Sequence, residues 1–98
     1  MNIYLIGFMG SGKSFIGKQL SEQLNFEFCD LDERIETAKN QSIASIFENK
    51  GETYFRKLES TILQKTANLK NTIIATGGGT ACFFDNMEWM NENGKTIF

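Results

Sequence analysis

Residues 7–14 read Gly7-Phe8-Met9-Gly10-Ser11-Gly12-Lys13-Ser14 and match the pattern G-x-x-x-x-G-K-S/T. Glycines at these spacings let the backbone turn tightly and bring N–H donors close to phosphate oxygens. A helix that follows adds unpaired N–H groups and the positive end of its dipole. Since glycine makes up about 7% of residues, a random chain of this length would match only about 0.3% of the time. The stretch predicts a phosphate-binding loop (P-loop).

The P-loop provides the first candidate site residues. Lys13 can place its charge on the β- and γ-phosphates, and the Ser14 hydroxyl can ligate Mg²⁺. We therefore expect a nucleoside triphosphate and Mg²⁺ as ligands. The alternative is a glycine-rich turn between a strand and a helix that binds nothing. The nucleotide contacts predicted from the loop are Gly10, Ser11, Gly12, Lys13 and Ser14.

The segments on both sides of the loop predict alternating strands and helices. Strands are expected over 2–6, 26–29 and 72–76, with a fourth starting at 96–98; helices are expected over 14–24, 31–39, 42–51, 53–67 and 85–93. This order predicts one α/β domain over residues 1–98, with a three-layer parallel sheet, helices on both faces and the P-loop kinase type of fold. Because three complete strands would make an unusually small domain of this kind, we expect it to continue beyond residue 98.

Composition narrows the class of protein. A net charge of −2 gives no reason to expect nucleic acid or an anionic membrane as a partner. No signal peptide and no apolar stretch of membrane-spanning length is visible, so we expect a cytoplasmic protein. We also expect a monomer. There is no histidine, and Cys29 and Cys82 form no disulfide framework or metal-ligand spacing. Both cysteines are expected to be free and mostly buried.

Two acidic residues, Asp30 and Asp32, follow the second predicted strand. They would lie at the carboxyl edge of the sheet, where open α/β sheets bind ligands and where the P-loop lies. One carboxylate could hold the hydration shell of Mg²⁺, and the other could accept a proton from a hydroxyl nucleophile. The alternative is that both only cap the following helix.

Arg56 and the run Gly77-Gly78-Gly79 are further candidates. An arginine can grip a planar carboxylate through two parallel hydrogen bonds. The alternative is a surface ion pair with Glu52 or Glu59, which would contribute little. The glycines could let main-chain N–H groups approach a substrate, or could form a plain flexible loop.

These features occur together and in order, and in this the chain resembles the N-terminal part of shikimate kinases. The resemblance runs over nearly all 98 residues. The matching pieces are the P-loop, the Asp30-x-Asp32 pair, the Ile46-Phe47 helix, Gly51-Glu52 with Phe55-Arg56 and Glu59, and the glycines 77–79. The combination is far more specific than the P-loop alone.

The resemblance implies transfer of the γ-phosphoryl group of ATP to the 3-hydroxyl of shikimate, a step of aromatic amino-acid biosynthesis. It implies that Lys13 neutralises phosphates, Asp30 supports Mg²⁺ through water, and Asp32 orients or deprotonates the hydroxyl. Arg56 would bind the shikimate carboxylate, with Glu59 fixing the guanidinium. The substrate-binding residues implied are Asp32, Phe47, Phe55, Arg56, Gly77, Gly78 and Gly79.

Two departures from the family pattern stand out. Phe15, which we include among the nucleotide contacts, occupies a position where the family often has threonine. By the resemblance, we expect the family's lid and adenine-binding segments beyond residue 98. The alternatives are another P-loop kinase of a small metabolite, such as a gluconate or nucleotide kinase, and a catalytically silent nucleotide-binding module.

Overall fold

The computed structural model describes residues 1–7 and 12–97, and for residues 12–14 it describes the main chain only. Strands and helices alternate along the chain, as the sequence predicts. They are β1 (Ile3–Leu5), α1 (Gly12–Leu24), β2 (Glu27–Asp30), α2 (Leu31–Lys39), α3 (Ile43–Lys65), β3 (Thr72–Ala75), α4 (Asn86–Asn93) and β4 (Lys95–Ile97), with short 3₁₀ turns at Thr66–Asn68 and Thr80–Cys82.

The four strands form one parallel sheet in the order β2-β3-β1-β4. The central strand β3 aligns Ala75 with Leu5 of β1 on one side and with Asp30 of β2 on the other. Parallel strands that are in register end at the same edge of the sheet. The segments that follow β1, β2 and β3 therefore start next to one another.

Helices cover both faces of the sheet, which confirms the three-layer prediction. On one face, Tyr4 and Ile74 pack with buried residues of α2, α3 and α4. On the other, Ile3, Leu5 and Ile73 pack against Leu20 of α1. The short apolar run of β1 is thus buried on both faces, as is typical of parallel sheets.

Local signals in the sequence set the ends of the helices. The Asp30 side chain caps α2, and Asn40 ends it in the left-handed conformation at φ 53°. Ser42 caps α3 by accepting a hydrogen bond from the Ser45 N–H at 3.1 Å. Gly51 has φ 86° and ψ 171°, which is not helical, so α3 consists of two helical segments that meet at a kink. The predicted break at Gly51 is confirmed.

The structure corrects the sequence-based expectation for one cysteine. Cys29 is buried, and burial raises the pKa of its thiol. Cys82, by contrast, is exposed, so the prediction that both would be buried is wrong for this residue. Cys82 is the last residue of the 3₁₀ turn Thr80–Cys82, and the buried side chain of this turn is that of Thr80. A helix of one turn can bury only some of its side chains. Nothing in the local sequence reveals which residue of the turn faces the core.

Small differences also occur at the ends of elements. Helix α3 stops at Lys65 and continues as the 3₁₀ turn, two residues before the predicted end. Strand β4 starts at Lys95, and residue 98, which was predicted to belong to it, lies outside the described part. Across residues 1–7 and 12–97, none of the helices has the length and apolar character needed to cross a membrane.

Candidate functional site

Three adjacent strand ends form the edge of the sheet that carries the candidate residues. The Thr76 hydroxyl donates to the Leu5 carbonyl at 2.7 Å, which ties the end of β3 to the end of β1. β2 ends in Asp30, and the triple glycine follows β3 at residue 77. The structure therefore brings the start of the predicted P-loop, the Asp30-x-Asp32 pair and the glycines to one edge.

The nucleotide residues are only partly within the described chain. Helix α1 follows the start of the predicted P-loop and begins at Gly12, within the motif and two residues before the predicted start at residue 14. Residues 8–11, with Gly10 and Ser11, lie outside the described part, and so do the side chains of Lys13 and Ser14. Phe15 is 64% exposed. The roles assigned to these residues remain predictions.

A cavity of about 170 Å³ lies between α2, α3 and the glycine run. All seven predicted substrate-binding residues line it, together with Glu59. The sequence analysis did not identify Ile43 as a lining residue, because this residue at the start of α3 belongs to none of the motifs. The lining residues are Asp32, Ile43, Phe47, Phe55, Arg56, Glu59, Gly77, Gly78 and Gly79.

Arg56 is held by a buried carboxylate. Its Nη1 donates to Glu59 Oε1 at 3.1 Å, and its Nε lies 3.6 Å from Glu52 Oε2. The Glu59 side chain is 1% exposed and that of Arg56 is 16% exposed, so this pair is not the surface ion pair considered as an alternative. A buried carboxylate needs its partners, because an unpaired charge in the interior costs several kcal/mol. Glu59 therefore fixes the guanidinium rather than merely contacting it.

The guanidinium also has aromatic neighbours. Its carbon lies 4.2 Å from the ring centroid of Phe83 and 5.3 Å from that of Phe55. Cations are attracted to such ring faces, more strongly where water is excluded. Among the described groups, the buried Nε of Arg56 has no hydrogen-bond partner. Phe83 was not predicted, since nothing in the sequence places it against Arg56.

Two of the glycines lie close to the side chains of Arg56 and Asp32. A Cβ on Gly79 would lie 2.8 Å from Arg56 Nη2, and one on Gly77 would lie 3.1 Å from Asp32 Oδ1. A Cβ on Gly78 would meet nothing within 4 Å, so its main chain stays accessible. The segment is therefore a packed wall of the cavity at residues 77 and 79, and the plain flexible loop considered as an alternative does not describe it.

The two aspartates differ in their surroundings. Asp30 Oδ1 accepts from the Asp32 N–H at 2.9 Å and from the Glu33 N–H at 3.3 Å, so Asp30 does cap α2. Asp32 is half-buried and lines the cavity with Arg56. Its position thus goes beyond a capping role.

A magnesium ion fits the donor types present. Within residues 1–7 and 12–97, no three acidic or sulfur side chains converge as an all-protein metal site. Mg²⁺ is commonly held instead by one or two protein oxygens, several waters and substrate phosphates. A serine hydroxyl at residue 14 and the Asp30 carboxylate have the hard oxygen donors that such a site would need.

Comparison with known proteins identifies the family of this chain. The sequence profile of the family described as shikimate kinase matches residues 9–98. A shikimate kinase of Persephonella marina is 48% identical over 97 residues, which are 99% of this chain and 59% of that protein. The crystal structure of shikimate kinase from Bacteroides thetaiotaomicron superposes with a TM-score of 0.95 at 45% identity, covering 100% of this chain and 56% of that one.

A third structure, shikimate kinase from Acinetobacter baumannii in complex with shikimate, has a TM-score of 0.91 at 40% identity and covers 97% of this chain and 53% of that one. The chain thus spans a little over half the length of these relatives. The profile match and the whole-chain identity lead to one conclusion: this chain belongs to the shikimate kinase family.

Proposed function

We propose that the chain is the N-terminal part of an enzyme that transfers the γ-phosphoryl group of ATP to the 3-hydroxyl of shikimate, giving shikimate 3-phosphate. The observation that carries this proposal is the cavity that contains both Asp32 and the fixed guanidinium of Arg56. A carboxylated alcohol needs one group of each kind: a cation for its acid and a base for its hydroxyl.

The acceptor side of the reaction follows from this cavity. Arg56 binds the carboxylate of the substrate, and the Gly78 and Gly79 main chain lies beside it. Phe47 and Phe55, whose ring centroids are 4.7 Å apart, form an apolar wall against the carbon ring. The cavity volume of about 170 Å³ is well below the roughly 300–1,000 Å³ of pockets for drug-sized ligands, which favours a single-ring metabolite.

The donor side rests on the P-loop. The nucleotide contacts are Gly10, Ser11, Gly12 and Phe15, and Lys13 neutralises the phosphates. Ser14 would ligate Mg²⁺ and Asp30 would support it through water, and the ion would supply charge neutralisation at the transferred group. Asp32 orients the 3-hydroxyl and accepts its proton as the new O–P bond forms and ADP leaves. Positioning and charge neutralisation provide most of the catalysis in phosphoryl transfer.

We also propose a cytoplasmic monomer that acts on a small molecule rather than on nucleic acid or a membrane. The net charge of −2 offers no excess of basic side chains for polyanions. Cys29 and Cys82 are both free, as expected for a protein of a reducing compartment.

An acceptor panel tests the proposed reaction. The full-length protein is incubated with ATP and Mg²⁺ and with shikimate, gluconate or a nucleoside monophosphate, and ADP formation is followed. We expect ADP formation to depend on shikimate. Turnover of gluconate or a nucleotide with shikimate inert would indicate a different metabolite kinase, and ATP binding without turnover of any acceptor would indicate the silent module.

Gly79→Ala is expected to weaken shikimate binding about tenfold, the scale of one hydrogen bond to a charged group. The new Cβ would lie 2.8 Å from Arg56 Nη2, and the guanidinium, as the end of a flexible side chain, is the group that would shift. Calorimetric titration measures the affinity. If the effect acts through Arg56, adding Gly79→Ala to Arg56→Ala should cause little further loss. A tenfold additional loss in the double variant would contradict this explanation.

A further inference from the structure

The carboxylate that fixes Arg56 is itself held from its other side. Glu59 Oε1 accepts from Arg56 Nη1 at 3.1 Å, while Glu59 Oε2 accepts from the Thr80 hydroxyl at 2.7 Å. The Thr80 residue is 0% exposed and Glu59 is 1% exposed. Because Thr80 and Glu59 are both buried, the two oxygens of Glu59 depend mainly on these protein donors. The Thr80 hydroxyl is thus one of the two donors that hold the carboxylate in place.

The main chain of Thr80 is held in this position by two further hydrogen bonds. Its N–H donates to the Gly77 carbonyl at 3.2 Å, and its own carbonyl accepts from Asn86 Nδ2 at 2.9 Å. Asn86 is 2% exposed, and its Oδ1 accepts from the Ser60 hydroxyl at 2.9 Å. One hydrogen-bond network therefore connects α3, the 3₁₀ turn and the start of α4.

The network returns to α3 at Ser60, which is the residue directly after Glu59. The turn that carries Thr80 cannot shift relative to α3 without breaking a buried hydrogen bond. Terminal torsions of glutamate are broad and have little intrinsic preference. The orientation of the Glu59 carboxylate therefore depends on its two hydrogen-bond donors, Arg56 and Thr80, rather than on a torsional preference of Glu59 itself.

We propose that Thr80 is a positioning residue for substrate binding: its hydroxyl orients Glu59, which in turn orients Arg56 for the carboxylate of the substrate. Asn86 supports this role by fixing the main chain of Thr80. The inference rests on the proposed function, since it assumes that Arg56 binds the acid group. Thr80 does not line the cavity, so its effect is transmitted through the two charged side chains.

The test compares Thr80→Val with Thr80→Ser in the full-length protein. Valine keeps the shape of threonine and removes the hydroxyl, whereas serine keeps the hydroxyl and removes the methyl group. We expect Thr80→Val to raise the KM for shikimate about tenfold, the effect of misplacing a charge-assisted contact, and to leave the KM for ATP within twofold. Thr80→Ser should retain the wild-type KM for shikimate to within about twofold.

Other results would overturn the proposal. A wild-type KM for shikimate in Thr80→Val would show that the hydroxyl does not matter for binding. Equal losses in Thr80→Val and Thr80→Ser, or equal rises in the KM values for shikimate and ATP, would show a merely structural role. If Thr80→Val does not fold, Thr80→Ala removes the same hydroxyl and carries the same expectations.

Failure of the proposed function gives a separate signature. If the wild-type protein does not use shikimate, the proposed function is wrong before any variant is compared. If the wild-type protein uses shikimate and Thr80→Val matches it, only the role of Thr80 is wrong.

Discussion

Asp32→Asn in the full-length protein is expected to lower kcat by about 10²–10⁴-fold, the range that one general base contributes. The amide keeps the size of the carboxylate but cannot accept the proton of the 3-hydroxyl. Asp32 lines the cavity that contains Arg56, and its Oδ1 lies against Gly77, so the side chain is well placed by the fold. Steady-state rates at saturating shikimate and ATP measure the effect.

Asp85→Asn is the matched control for this variant. Asp85 is exposed, precedes α4 without a side-chain capping bond and does not line the cavity. We expect its kcat to stay within twofold of the wild-type value. A wild-type kcat in Asp32→Asn would exclude this aspartate as the base, and equal losses in both variants would point to a general effect of lost acidic charge.

Arg56→Ala is expected to weaken shikimate binding by about 1.5 to 3 kcal/mol, a factor of roughly 10 to 150, with ATP binding little changed. The loss reflects a charge-assisted, bidentate contact that alanine cannot make. Arg56→Lys should recover only part of the affinity, because an ammonium group lacks the planar fork of the guanidinium. Calorimetric titration with shikimate and separately with a non-hydrolysable ATP analogue gives both affinities.

The removal of Arg56 also leaves Glu59 buried with one partner fewer, so thermal unfolding of each variant should be recorded beside its affinities. Arg34→Ala provides the control: Arg34 is exposed, donates to Cys29 Sγ at 2.9 Å and does not line the cavity. Its affinity for shikimate should match that of the wild type. An equal loss of shikimate and ATP binding in Arg56→Ala would argue for a structural role of this arginine.

Most of the architecture could be predicted because its signals are local. The β1 run is apolar throughout since both of its faces are buried, and Asn40, Ser42 and Gly51 mark helix ends through capping and backbone conformation. The P-loop pattern occurs between a strand and a helix, so the motif itself predicts both neighbouring elements. What failed was the burial of Cys82, which depends on how one 3₁₀ turn is oriented in the folded chain.

The candidate site could be predicted only in part, because some of its contacts depend on the fold of the chain rather than on local sequence. Asp32 and the glycines 77–79 follow strand ends, so sheet topology alone brings them to one edge. Thr80 and Phe83 also contact the groups around Arg56, but those contacts are set by the path of the chain after β3. Local spacing also could not show that Glu59 is buried, and burial is what distinguishes its bond to Arg56 from a weak surface ion pair.

We expect a carboxylated alcohol to bind between Asp32 and Arg56, beside the P-loop. A crystal structure of the full-length protein with shikimate and ADP tests it most directly. We predict the shikimate carboxylate within about 3 Å of the Arg56 guanidinium nitrogens and the 3-hydroxyl within about 3 Å of Asp32, as hydrogen bonds require. Shikimate bound elsewhere, or Asp32 and Arg56 both facing away from the ligand, would contradict the account.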